Sequence, residues 1–235
     1  MKFLHRAFFL AFLLFIFSNF AAKAQISPAE IDKLVERTLK EFDVPGISVG
    51  IVKDGKLIFA KGYGLRSLNT KEKADENTLF CIASNSKAFT AAAIGVLVDE
   101  GKLKWDDKVT QYIPEFRMYN SYVTEEFTIR DLLSHRSGLG LGAGDLMWWP
   151  DSNNFTVKDV ISNLRYLKPV SAFRTKYDYD NLLYIMAGEV IERVTGKSWE
   201  EFVESRIMQP LNMNQSAGDY KRLKDNTNEL EVRMV

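Results

Sequence analysis

The 235-residue sequence predicts an α+β fold, an antiparallel sheet flanked by helices. Two observations carry this. Residues 47–64, "ISVGIVKDGKLIFAKGYG", alternate apolar and polar side chains around Asp54-Gly55, the pattern of a two-stranded hairpin. About six segments with helical periodicity and helix start or stop residues then follow, with almost no further strand signal. A lone hairpin is marginal in water. Either helices cover this one, or strands that pair with it lie outside this chain.

The first 24 residues stand apart. Lys2 and Arg6 precede an unbroken apolar run from Ala7 to Phe17, and Ala22-Lys23-Ala24 closes it in a small-x-small pattern. That order describes a cleavable secretory signal. Read as a membrane anchor, the run is well short of the ~20 apolar residues that span a bilayer. Residues 1–24 are therefore expected to be removed. Residues 25–235 would form an exported domain, periplasmic or extracellular, with no stable membrane anchor.

In "SPAEIDKLVERTLKEFDVPG" Ser27 can cap a helix, Pro28 suits its first position, and Ile31, Leu34, Val35, Thr38 and Phe42 line one face. Pro45-Gly46 stops it. Ser84 to about Glu100 reads as a buried helix ended by Gly101, and Thr128 caps the short "IRDLLSH". "TVKDVISNLRYL" is amphipathic and stops at Pro169, and "NLLYIMAGEVIERVTG" ends at Gly196. Ser198 with Glu201 three residues on forms a capping box for "SWEEFVESRIMQPL".

Charge and rare residues exclude several functions. Lys plus Arg and Asp plus Glu each number 31, so no excess points to nucleic acid or an anionic membrane. Loss of residues 1–24 removes Lys2, Arg6 and Lys23 but no acid, leaving 28 basic against 31 acidic residues and a charge of −3. It also removes His5, so His135 is the remaining histidine and a multi-histidine metal site is excluded. The single cysteine, Cys81, cannot form an internal disulfide and reads as a small buried packing residue.

The chemistry concentrates in two short stretches. In "FCIASNSKAFTAAA", Ser84 and Lys87 are three residues apart and can share one helix face. A helix N-terminus favours developing negative charge, and a serine becomes a nucleophile when a neighbouring base takes its proton. Alone, Ser-x-x-Lys could equally be a polar helix start. In "YDYDNLLYIMAGEVIE", Tyr179 near a lysine ammonium could shuttle protons, and Asn181 could orient a carbonyl or the lysine. Alone, this could be a surface turn with Asn181 as an N-cap.

Together with "FTIRDLLSHRSGL" and "PLNM", and continuing through "AIGVLVDEGKLKWDDKV", these stretches resemble successive landmarks of the class C β-lactamase-like serine hydrolases. The resemblance runs from about residue 28 to about residue 220. It implies a β-lactamase/transpeptidase-like fold with Ser84 as acylated nucleophile, Lys87 as its proton partner, Tyr179 as general base and Asn181 as a substrate-orienting residue. It also implies acyl transfer to water from a β-lactam, D-alanyl peptide or ester, without metal or cofactor. Whether Lys87 or Tyr179 takes the first proton is left to the pair.

That family carries a third motif, a Lys-Thr-Gly or His-x-Gly strand that supplies an oxyanion-hole N–H. No convincing match follows Asn181: "VTGKS" ends a helix and "QSAGD" has the wrong first residue. The chain is therefore expected to be a partial domain whose C-terminal strands are missing, with "KDNTNELEVRMV" as a linker. Loss of one oxyanion donor costs ~10²–10³ in rate. The alternative reading is a catalytically impaired, penicillin-binding-like protein or an inactive fragment. His135 is expected to end a helix and bond its own turn, and Trp148-Trp149 could wall a cleft or merely pack a loop.

Overall fold

Ser27 starts the first helix as anticipated: its side chain accepts from the Glu30 N–H while the Glu30 carboxylate accepts from the Ser27 N–H. The structure, a computed structural model, describes residues 26–150 and 153–223. The expected signal segment 1–24 and the expected linker from Lys224 lie outside the described residues. The chain divides into two units, meeting in sequence between Thr78 and Leu79.

In the first unit, helix α1 (Pro28–Glu41) packs on a hairpin of β1 (Gly46–Lys53) and β2 (Lys56–Gly64). Asp54 and Gly55 both take left-handed backbone angles, φ 51° and 72°, as a two-residue hairpin turn with the strands' own twist demands. Ile31, Val35 and Tyr63 form the small core, with Leu39, Ile47 and Phe59 packed against it. Asp32 accepts from Tyr63 Oη at 2.6 Å and from Lys61 Nζ at 2.9 Å, fastening α1 to β2.

The expected α1 face is too wide. Leu34 and Phe42 are exposed, because the buried stripe runs i, i+4, i+8 through Ile31, Val35 and Leu39, which turns Leu34 away. Among the described residues the sheet has two strands, and Val52, Leu57 and Ile58 of the hairpin stay exposed.

The second unit is helical. Its central helix α2 (Ser86–Asp99) buries Ala93, Ile94 and Leu97 completely. Around it lie α3 (Ser121–Glu126), α4 (Ile129–Leu133), α5 (Val157–Asn163), α6 (Leu182–Thr195) and α7 (Trp199–Val203), which runs on through a π-turn to Met208. Helix α6 contributes six buried residues, among them Leu182, Met186 and Val190, and packs against α2, α4, α5 and α7. Trp199 Nε1 donates to Thr90 Oγ1 at 3.0 Å and ties α7 to α2. The capping boxes at Thr128 and Ser198 both form.

Two segments of this unit zip together and set up the site. Backbone bonds run from Val170 N–H to Gly138 O, from Arg174 N–H to Arg136 O and from Asp178 N–H to His135 O. Arg174 adds a fork onto Asp131, at 2.9 and 2.6 Å to the two carboxylate oxygens. Burial pushes the Asp131 carboxyl up, but the bonds from Arg174 and Thr128 outweigh it and hold it below its ordinary value. The irregular stretch before Tyr179 is thereby pinned to the turn after α4.

Candidate active site

Ser84 lies in a 3₁₀ turn, Ala83–Asn85, that leads directly into α2. Lys87 is one turn further on, and its side chain returns toward Ser84 as side chains in a helix do. Tyr179 and Asn181 come from the entrance of α6. All four residues singled out in the sequence meet at one point.

Lys87 Nζ is 3.1 Å from Ser84 Oγ, 2.7 Å from Tyr179 Oη and 2.7 Å from Asn181 Oδ1. An ammonium has three N–H donors and no acceptor, so these contacts use all of them. Tyr179 Oη is 2.6 Å from Ser84 Oγ, closing a triangle of serine, lysine and tyrosine. Lys87 Nζ also lies 4.7 Å from the Tyr179 ring centroid and 5.4 Å from that of Tyr184.

The electrostatics favour a proton-accepting tyrosine. Burial, the largest single influence, pushes the Tyr179 hydroxyl up. The hydrogen bonds with Lys87 and Ser84 and the lysine's charge together outweigh it, leaving Tyr179 below its ordinary value. This is the direction a general base requires at moderate pH.

Three further residues shape the site. Asp145 accepts from Asn181 Nδ2 at 3.0 Å and from Trp148 Nε1 at 3.3 Å, so the Asn181 amide turns its oxygen to Lys87 and its nitrogen to Asp145. Gly144 makes this approach possible: its φ is 75°, and a Cβ there would fall 2.3 Å from Leu182 Cδ1. Asp145 is not among the residues its sequence context singles out; the run of Gly138, Gly140, Gly142 and Gly144 just before it is the one local signal. Asp180, between Tyr179 and Asn181, is fully buried; Oδ1 accepts from Leu183 N–H at 3.1 Å, while among the described residues Oδ2 has no hydrogen-bond partner. Burial raises its carboxyl to about 7.

His135 does something other than bond its own turn. It sits at φ 54°, stacks on Tyr179 at 4.5 Å between ring centroids, and accepts the Asp180 N–H at Nδ1, 3.2 Å away. Burial and the charge of Lys87 hold it below its ordinary value, so it is a neutral ring that seats the tyrosine. Cys81 is exposed, against expectation. It lies in the irregular stretch before the 3₁₀ turn, off the buried stripe of α2, and neighbouring Ile82 is exposed too.

Trp148 forms a wall. A cavity of about 670 Å³ opens onto Ser84, Lys87 and Asn181, and Trp148, Tyr184, Ile185 and Trp199 line its sides. Among the described residues no group of His, Cys, Asp and Glu is arranged to hold a metal ion, and no helix is long and apolar enough to cross a membrane.

The family model described as Beta-lactamase matches residues 31–225, most of the chain. The chain belongs to the beta-lactamase family. Among curated relatives, it is 33% identical over 194 residues to Protein flp of Staphylococcus aureus (strain N315), covering 81% of this chain and 38% of that protein. It is 36% identical over 188 residues to Unguisins hydrolase ungD' of Aspergillus campestris, covering 77% of this chain and 35% of that protein.

Solved structures agree on the fold. The octameric penicillin-binding protein homologue from Pyrococcus abyssi superposes with a TM-score of 0.76 at 29% identity, over 87% of this chain and 47% of that one. A class C beta-lactamase gives 0.67 at 27% identity, over 82% and 52%. D-amino acid amidase from Ochrobactrum anthropi SV3 gives 0.68 at 25% identity, over 82% and 52%. The fold is thus β-lactamase/transpeptidase-like. The chain spans little more than a third of these curated relatives and about half of these structures.

Proposed function

We propose that this beta-lactamase-family chain encodes a serine hydrolase centre that transfers an acyl group to water through Ser84. The observation that supports it most is the contact of Tyr179 Oη with Ser84 Oγ at 2.6 Å, with Lys87 Nζ bonded to both. Ser84 Oγ attacks the carbonyl carbon of an ester, amide or β-lactam, and its proton passes to the Tyr179–Lys87 pair. The bond to the leaving group then breaks, and the pair returns that proton to the leaving atom. Water attacks the acyl-enzyme by the reverse proton path, releasing the acid and restoring the Ser84 hydroxyl.

Asn181 holds the lysine and would orient the substrate. The Ser84 N–H supplies one oxyanion donor. The basic and apolar order of residues 1–24 supports export, and N-terminal sequencing of the secreted protein tests it; a mature start at Gln25 is expected.

The decisive experiment is acylation of the purified chain by a tagged fluorophosphonate and a tagged penicillin, with peptide mapping and a Ser84→Ala control. Label on Ser84 that is absent from the control supports the reading. No label on a folded chain refutes it.

A further inference from the structure

We propose that His135 is a positioning residue for the acyl transfer and its acid gate: the neutral imidazole keeps Tyr179 Oη between Ser84 and Lys87, and the imidazolium releases it. This rests on the acyl-transfer reading of Ser84 and adds a residue that acts through Tyr179 alone. Tyr179, Asp180 and Asn181 are consecutive, and the outer two reach Lys87 at 2.7 Å each. The N–H between them, that of Asp180, ends on His135 Nδ1 at 3.2 Å. A backbone N–H can only donate, so Nδ1 must carry the lone pair. The same imidazole lies against the Tyr179 ring, with 4.5 Å between centroids and 28° between planes. One side chain therefore grips Tyr179 twice, by its ring and by the peptide that follows it. His135 is itself buried and fixed. Its carbonyl accepts the Asp178 N–H at 2.7 Å, and Tyr177 stands edge-on at 5.4 Å. The Tyr184 ring lies at 5.3 Å, anchored by its hydroxyl to Leu133 O at 2.8 Å.

An imidazolium has two donors and no acceptor, so its Nδ1–H would oppose the Asp180 N–H. Most neighbouring groups oppose its charge as well. Lys87 of α2 sets its ammonium over the Tyr179 and Tyr184 rings that flank the imidazole, and Arg136 in the same turn bonds to Arg174 O. Tyr177, Tyr179 and Tyr184 bring hydroxyls that are neutral in acid. The Asp180 carboxyl, raised by burial to about 7, has taken its own proton before His135 charges. The carboxylates of Asp178 and Asp131 are engaged by Ser171 and by Arg174. Protonation therefore breaks the hold on Asp180 and slackens Tyr179, on the acid side of the ordinary imidazole value of 6.5.

The rate of Ser84 labelling by a tagged fluorophosphonate, followed across about pH 4 to 9, reads the gate. As pH falls, the logarithm of the rate is expected to drop with a slope of about one while Tyr179 alone loses its base form. The slope is expected to reach about two once His135 charges as well. His135→Gln offers Oε1 to the Asp180 N–H and does not titrate. It is expected to stay within about threefold of wild type at about pH 8 and to keep the single slope. His135→Phe keeps a ring but no acceptor, and is expected to lose about tenfold. Asp180→Asn keeps the N–H, removes the other group that titrates nearby, and is expected to retain the steepening. A steepening that persists in His135→Gln or vanishes in Asp180→Asn, or a phenylalanine variant as fast as wild type, would overturn the proposal.

A proton NMR titration of the wild-type chain decides the matter should a variant not fold. The sequence has two histidines, and the His135 ring signals are told from those of His5 by cross-relaxation with the Tyr179 ring. Their midpoint is expected to match the pH of the steepening, and a mismatch overturns the gate whatever the variants do. Labelling of Ser84 without any steepening sinks the gate and leaves the acyl-transfer reading standing. A folded chain that is not labelled at any pH removes that reading. The hold on Tyr179 is then read from its own ring signals, which are expected to shift with the His135 midpoint. Tyr179 signals indifferent to that titration would overturn the hold too.

Discussion

Asp145 Oδ2 lies 3.0 Å from Asn181 Nδ2 and decides which way that amide faces. With the nitrogen held by the carboxylate, the oxygen is left for Lys87 at 2.7 Å. A flipped amide would set N–H against ammonium. Asp145→Ala is expected to slow Ser84 acylation about tenfold, the worth of one charge-assisted hydrogen bond. Asp145→Asn keeps an acceptor for the amide and is expected to recover part of the rate. Stopped-flow labelling of the two variants tests this, and equal rates in both would show that Asp145 only packs the loop.

Lys87→Met is expected to lower the acylation rate by about 10²–10⁴, the usual range for a proton-transfer partner. Lys87→Arg is expected to fail nearly as badly. A planar guanidinium cannot point three donors at Ser84, Tyr179 and Asn181, and it does not give up a proton. Full activity in the arginine variant would mean that charge alone is needed.

Tyr179 is expected to set the pH profile. Burial works against its ionisation, yet the bonds to Lys87 and Ser84 bring it below its ordinary value of 10. Its base form therefore fills as pH rises, and the acylation rate is expected to climb with pH and level off below 10. In Tyr179→Phe the limb should disappear along with most of the rate. A limb that survives in Tyr179→Phe would assign it to another group.

Asp131 and Arg174 give an acid-side signature in stability. The Asp131 carboxyl is held below its unfolded value of about 3.9, so its contribution is present above that pH and is lost as pH falls through the folded value. Arg174→Met is expected to cost roughly 1–2 kcal/mol, less than a fully buried pair because the Arg174 side chain is 39% exposed. The melting temperature should fall by ~3–6 °C at pH 7. The loss should shrink at pH 3.

Asp180 works in the opposite sense. Its buried carboxyl is raised to about 7 against an unfolded value of about 3.9, so native structure retains the proton that the unfolded chain gives up. Stability from this group is present below about pH 4 and is lost as pH rises toward 7. Asp180→Asn cannot ionise and is expected to flatten that slope, measured as melting temperature across pH 5–8. An unchanged slope would show that Asp180 does not hold its proton in this range.

The parts of the molecule legible in the sequence are those set by neighbours along the chain. Ser27, Thr128 and Ser198 cap their helices through bonds three residues long, and Asp54-Gly55 turns a hairpin with both backbone angles left-handed. Ser84, Lys87, Tyr179 and Asn181 were legible because each sits at a helix entrance in a recognisable spacing. Asp145 was not, since its partner is 36 residues away and the loop between has no period. Leu34, Phe42 and Cys81 were misread for a related reason: apolar character does not reveal which side of a stripe the rest of the fold covers.

The three contacts of Lys87 have a consequence for the direction in which a proton can move. If the lysine gives up a hydrogen, its nitrogen keeps two and gains a lone pair, so one of its three partners must become a giver. The Asn181 carbonyl oxygen has no hydrogen to offer, and Asp145 prevents the amide from turning to present one. Only the hydroxyls of Ser84 and Tyr179 remain. After such a transfer the nitrogen could accept only from Ser84 or Tyr179, and Asn181, whose facing oxygen bears no hydrogen, closes the third direction.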